Sequence, residues 1–222
     1  TFYVRGVPLD WDADRLQSFL AADESSAGSI VQSLAYEIHG LSNTATVAFQ
    51  NTPLPAQKSR TGQKRVLLPR TTENQPARDQ YLTLDDGFLG IITLYAPPLE
   101  DHKVDVIAVS GLGGHAFGSF KERGGDYMWL RDALPYDLTW EDTDNPMARV
   151  MVYGYESRVA QSKSMQNLED LATSFHNSLL ALASAATTRP IILIAHSLGG
   201  LIVKQTLILL SKSKNEDDVK LL

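Results

Sequence analysis

Ser197 lies in Ile194-Ala195-His196-Ser197-Leu198-Gly199-Gly200, directly after the apolar run Pro190-Ile191-Ile192-Leu193-Ile194-Ala195 and directly before residues 199–211, which are rich in Leu and Ile. The first run reads as a strand and the second as a helix, so His196-Ser197-Leu198 must complete a very tight strand-to-helix turn. A turn that tight pushes the serine Oγ out above the sheet, where a nucleophile has to stand. Small residues flank it because the backbone closes on itself: Ala195 two positions before, Gly199 two after. The usual pattern has glycine at both positions, and Ala195 replaces the first with the smallest side chain that carries a Cβ. A competing role for Ser197 is to cap the helix N-terminus through its hydroxyl. In the nucleophile reading, the Leu198 N–H at the positive helix end supplies one donor to a developing oxyanion.

The second donor should come from a loop after an earlier strand. Val104-Asp105-Val106-Ile107-Ala108-Val109-Ser110 is followed by Gly111-Leu112-Gly113-Gly114-His115, and glycines let backbone N–H groups turn toward an oxyanion without a Cβ in the way. Leu112 or Gly113 is the expected donor. The same loop fits the dinucleotide form GxGxxA, but that reading needs an acid closing the next strand roughly 20 residues on, and that strand arrives only near Arg149, with Glu156 beyond it. A phosphate-binding P-loop fails because Gly113 to Gly118 is followed by Ser119-Phe120 rather than Lys-Ser/Thr. No cofactor and no metal site is expected.

The elements needed to hold these loops can be read from apolar runs. Residues 81–84 and 88–95, joined through Asp85-Asp86-Gly87, read as a hairpin. Residues 104–110, 149–153 and 190–195 lack strict alternation, which suits strands buried on both faces of a parallel sheet. Between the last two, Leu168, Leu171, Ala172, Phe175, Leu179 and Leu182 keep helical spacing over 165–186, giving successive βαβ crossovers. Met128, Trp129 and Leu130 read as a helix face packed on the sheet, with an acyl-pocket lining as the sharper alternative.

Four segments carry a family resemblance: Val109-Ser110-Gly111-Leu112-Gly113-Gly114-His115, Met128-Trp129-Leu130-Arg131-Asp132-Ala133-Leu134-Pro135, Arg149-Val150-Met151-Val152-Tyr153-Gly154-Tyr155, and Ile194 through Lys204. Over about residues 81–212 the chain resembles the lipase-like α/β hydrolases called serine active site-containing proteins. Similar segments open large fungal proteins that continue into nucleotide-binding and repeat regions. The resemblance implies an α/β-hydrolase fold, an intracellular esterase or lipase-like activity on an apolar acyl ester or lipid, and peripheral association with mitochondrial or endoplasmic reticulum membrane. In the fungal relatives it implies a signalling or immune-like receptor.

In that fold the catalytic triad runs nucleophile, acid, histidine along the chain. After Ser197 the sequence offers Glu216, Asp217 and Asp218 as acids and no histidine. His196 sits beside the nucleophile and His115 in the glycine loop, while His39, His102 and His176 read as surface or packing residues. The expectation is therefore a fragment of a longer protein, with a truncated sheet of about five strands and residues 190–195 as an unpaired apolar edge. A start at Thr1 fits a trimmed chain, and downstream domains of the same protein are expected partners.

Residues 1–52 read as strand (2–7), helix (13–22), strand (29–38) and strand (44–50), most of a small ferredoxin-like α+β unit that faintly resembles an RNA-recognition domain. RNA binding is not expected, since Thr44 and Thr46 stand where stacking aromatics belong and two Arg face six acids, a net of −4 that repels phosphate. Residues 53–80 bring four prolines and a net of +4, the composition of a basic linker, and 81–222 form the hydrolase-like part. The whole chain of 222 residues carries −6 and 43% hydrophobic residues, so it should bury a core and has no overall attraction for nucleic acid. Zero cysteines exclude disulfides, cysteine zinc sites and thiol catalysis. No signal peptide or membrane span is visible.

Overall fold

The computed structural model describes residues 1–22, 28–50, 63–69, 80–140, 144–157, 167–183, 189–219 and 221, and the chain divides into two compact units, Thr1–Gly87 and Phe88–Leu222. In the first, strands β1 (Phe2–Val7), β2 (Ser29–Tyr36), β3 (Asn43–Phe49), β4 (Lys64–Leu67) and β5 (Tyr81–Asp85) form one sheet in the order β2-β3-β1-β5-β4, every neighbour antiparallel. Helix α1 (Ala13–Ala21) begins where the Asp12 carboxylate accepts the Arg15 N–H at 2.8 Å, satisfying one of the donors a helix start leaves open. Its Leu16 and Leu20 join Val4, Val7, Trp11, Ala45, Val47, Leu82 and Leu84 in one core. On β3, Thr44 donates to Val4 O and Thr46 bonds Ser33 Oγ, both threonines fully buried, so neither offers a surface for stacking.

The second unit contains β6 (Gly90–Tyr95), β7 (Val104–Val109), the short helices α2 (Trp129–Asp132) and α3 (Leu134–Asp137), β8 (Ala148–Gly154), α4 (Leu168–Ala183), β9 (Ile191–Ala195), α5 (Leu198–Lys212) and α6 (Glu216–Val219). Its sheet runs β6-β8-β7-β9, with β6 antiparallel and the other three parallel. Every residue of β7 is buried, as a strand without strict alternation is expected to be, Asp105 among them. Strand β9 pairs only with β7 among the described residues, and Ile192 is 44% exposed, so the apolar edge expected at 190–195 is there. Helices α4 and α5 pack together, and Thr206 Oγ1 closes the contact by donating to Ala172 O at 3.1 Å. The molecule is thus a mixed α/β protein of two sheets. No helix among the described residues is long and apolar enough to cross a membrane.

One expectation is corrected. Tyr81–Asp85 and Gly90–Tyr95 do not form a hairpin: the first pairs with β1 and β4, the second with β8 in the other sheet. Leu82 and Leu84 are needed in the first core, and the chain turns away through Phe88 and Gly90, at φ 49° and 84°. The second sheet consequently has four strands among the described residues, because the fifth expected strand belongs to the sheet of the first unit. Of the basic linker expected at 53–80, residues 53–62 and 70–79 lie outside the described residues; Lys64–Leu67 within it is a strand.

Candidate active site

Parallel register brings the site together. Val109 of β7 lies level with Tyr153 of β8 and Ala195 of β9, so the segments that leave these strands emerge at one sheet end. In open α/β sheets that carboxyl end is where ligands are held. The segments are Ser110 to His115, residues 155–157, and His196-Ser197.

Ser197 holds φ 53° and ψ −122°, a conformation that side chains with a Cβ rarely adopt. The turn is pinned on both sides: His196 N–H donates to Val109 O at 3.1 Å, and Gly199 N–H returns to His196 O at 3.0 Å. An ordinary capping residue has extended φ and accepts a bond from the helix start, whereas the Ser197 side chain makes no capping bond and is exposed. The capping role is therefore not the one it plays. Gly199 is needed because a methyl there would lie 2.6 Å from both Val109 O and Ser110 O. Gly111 is needed too, since a methyl on it would meet Ser197 Cβ at 3.0 Å, which also places the glycine loop against the serine. Ala195 is exposed, so its methyl does not need a place in a packed core.

Of the expected oxyanion donors, Gly113 has already spent its N–H on Ser157 O at 3.0 Å. The N–H groups of Leu112 and Leu198 have no partner among the described residues, and Leu112 is 58% exposed. Leu198 opens a helix of fifteen residues, so its N–H carries the partial positive charge of the helix start. The glycine loop is itself held from the segment after β8. Tyr155 Oη donates to Ser110 O at 2.9 Å, and Ser157 Oγ donates to Gly114 O at 2.5 Å. Sequence reasoning gave no role to Tyr155 or Ser157. Their signal was positional: polar residues directly after a buried strand whose end lies beside the loop.

The histidines go elsewhere. His102 Nε2 meets Asp105 Oδ1 at 2.9 Å near the opposite, N-terminal end of β7, and His176 Nε2 meets Asp218 Oδ1 at 2.6 Å between α4 and α6. Hydrogen bonds from the Ser213 hydroxyl and from His176 hold the Asp218 carboxyl below the usual range. His39 pairs with Glu37. His115 Nδ1 accepts the N–H groups of Phe117 and Gly118 at 3.2 and 3.1 Å, so a neutral ring carries its proton on Nε2. His196 is exposed beside Ser197. No described residue makes a hydrogen bond to Ser197 Oγ, and no cluster of three metal-ligating side chains occurs among the described residues. Met128 and Leu130 are fully buried and Trp129 is 37% exposed, which makes the first two packing residues.

What this arrangement can do chemically is present one exposed hydroxyl beside two unspent N–H groups, a layout suited to attack on a carbonyl carbon. No family model matches the chain, and no solved structure matches it. Among curated proteins it is similar to Protein SERAC1 of Mus musculus, 30% identical over 121 residues, of Homo sapiens, 27% over 117 residues, and of Bos taurus, 29% over 121 residues. These matches cover 48 to 50% of this chain and 18% of each relative. The chain therefore corresponds to a minor part of those proteins, and the similarity agrees with the resemblance carried by the segments around the glycine loop and Ser197.

Proposed function

We propose that this chain carries the nucleophile half of a serine hydrolase of α/β-hydrolase type, acting on an ester with an apolar acyl group, a lipid among them. The observation that carries the reading is Ser197 itself: a positive-φ, exposed, uncapped serine between a parallel strand and a helix start, with a braced glycine loop against its Cβ. Strain at such a residue persists where the surroundings impose it, and it clusters at functional sites. In the proposed reaction Ser197 Oγ attacks the ester carbonyl carbon, and the carbonyl oxygen takes up negative charge facing the N–H groups of Leu198 and Leu112. Collapse expels the alcohol and leaves an acyl-serine, which water hydrolyses. The proton from Ser197 passes to a general base and from it to the departing alcohol. The similarity to Protein SERAC1 and the resemblance to lipase-like hydrolases support this reading, and association with mitochondrial or endoplasmic reticulum membrane, which the resemblance implies, is part of the proposal.

The test uses the full-length protein, a short-chain p-nitrophenyl ester and a fluorophosphonate probe. Labelling should fall on Ser197, and Ser197→Ala should lower kcat by about 10⁴-fold or more. A second reading is favoured by one observation, that no described side chain bonds Ser197 Oγ: the domain serves as a signalling or interaction module of a multidomain receptor of the fungal type, with hydrolysis vestigial. In that case Ser197→Ala leaves signalling intact and the probe labels nothing.

A further inference from the structure

The loop between β7 and α2 presents its peptide groups in a fixed pattern. Gly114 N–H donates to Gly111 O at 3.0 Å and Gly113 has φ 67°, while Leu112 is not among the positive-φ residues; together these make residues 111–114 a type II turn. A trans peptide points its N–H opposite to its C=O. Since Gly111 C=O is turned inward to Gly114, Leu112 N–H points out of the turn, beside the Gly111 Cα that lies against Ser197 Cβ.

The turn type alone does not place the donor: rotating the central Leu112–Gly113 peptide to the type I form would reverse Gly113 N–H and leave Leu112 N–H where it is. What places Leu112 N–H is the set of ties that hold the loop as a whole. One tie is Gly113 N–H to Ser157 O. Ser157 is in turn fixed by its own hydroxyl on Gly114 O, and it is only 6% exposed; Tyr155 Oη fixes the preceding peptide through Ser110 O. Three of the loop's ties therefore come from one short segment after β8.

We infer that Tyr155 and Ser157 are positioning residues that hold the glycine loop against Ser197 so that Leu112 N–H is presented to the acyl oxygen, and that releasing them lets residues 110–114, Leu112 N–H with them, shift off the serine and disables the site. This rests on the hydrolase reading of Ser197. Neither side chain touches substrate in this scheme; both act through the loop.

The experiment compares wild type, Tyr155→Phe, Ser157→Ala and Ser157→Thr in the full-length protein, measuring kcat and KM on a short p-nitrophenyl ester and amide exchange at Gly113. Ser157→Ala should lower kcat at least about 10-fold with KM within about 2-fold, because a misplaced oxyanion donor is lost only from the transition state. Ser157→Thr, which keeps the hydroxyl, should recover most of that loss, and Gly113 amide exchange should quicken in Ser157→Ala alone. Tyr155→Phe removes a single oxygen from a half-buried ring and should shift kcat in the same direction; it carries the test if Ser157→Ala does not fold. Wild-type kcat in both Ser157→Ala and Tyr155→Phe, beside an active wild type, overturns the inference and leaves the hydrolase reading standing. An inert wild type overturns the hydrolase reading, and the inference with it.

Discussion

At Ser197 the backbone sits at φ 53°, where a Cβ is disfavoured and glycine is not. Strain of this sort costs on the order of 1–3 kcal/mol at a single residue. If the surrounding structure imposes the conformation for the sake of the hydroxyl, removing the hydroxyl and removing the Cβ should have separable effects. Ser197→Gly is therefore expected to be about 1 kcal/mol more stable than Ser197→Ala, with both equally dead on esters. Denaturant unfolding of the two variants checks this, and equal midpoints would mean the turn is not strained. The residue itself was legible in the sequence because a strand, a serine and two glycines leave the chain no other way to turn. That Gly113 N–H is spent was not legible, since its acceptor Ser157 O is far away in sequence and near only through the parallel register of β7 and β8. Gly154 illustrates the same blindness: a Cβ there would collide with Phe88 O, a contact no local pattern announces.

Strands β7 and β8 are held at their N-terminal ends by a charge pair that the register creates. Asp105 lies opposite Arg149, and the guanidinium meets the carboxylate twice, Nε to Oδ1 at 2.7 Å and Nη2 to Oδ2 at 2.8 Å, with His102 Nε2 also on Oδ1 at 2.9 Å. Burial alone pushes the Asp105 carboxyl up; hydrogen bonds from His102 and Arg149 and the Arg149 charge more than reverse this, holding it below its ordinary range. A folded-state value below the unfolded one makes the stabilisation complete above the unfolded carboxylate pKa of about 4 and drains it as pH falls through the lowered folded value. Unfolding free energy should thus drop below about pH 4 in wild type, and Asp105→Asn should remove that part of the acid sensitivity while costing about 3–5 kcal/mol at neutral pH, because Arg149 is left buried without its counter-charge. Chemical denaturation at pH 7 and pH 3 measures both, and an Asp105→Asn protein as stable as wild type at pH 7 would show the pair to be idle. That β7 would be buried on both faces was readable from its composition. The charge pair was not, because Asp105 and Arg149 become neighbours only once the crossover is right-handed and in register.

Across the whole molecule, the least legible feature was where one unit ends. Asp85-Asp86-Gly87 between two apolar runs is a good hairpin signal, and it pointed to a boundary before Tyr81. What overrode it is core demand: β5 lies between β1 and β4, and its Leu82 and Leu84 are 0% and 1% exposed in the first core. A piece ending at residue 80 would lose these two side chains and leave β1 and β4 with no strand between them. Burying a leucine is worth about 1.5–3 kcal/mol, so two of them, with the sheet pairing, exceed a large share of the 5–15 kcal/mol that stabilises an ordinary domain. The piece 1–87 keeps everything its core contains and ends before Phe88, which is fully buried and has its ring against Phe117 and His115 of the second unit. Residues 1–87 expressed alone should therefore give dispersed amide proton spectra and a cooperative thermal transition, while residues 1–80 should give neither. If both pieces melt alike, β5 is an accessory strand and the first unit is complete without it. If neither folds, the core built on Val4, Leu16 and Val47 depends on the rest of the chain, and the two units are one cooperative domain.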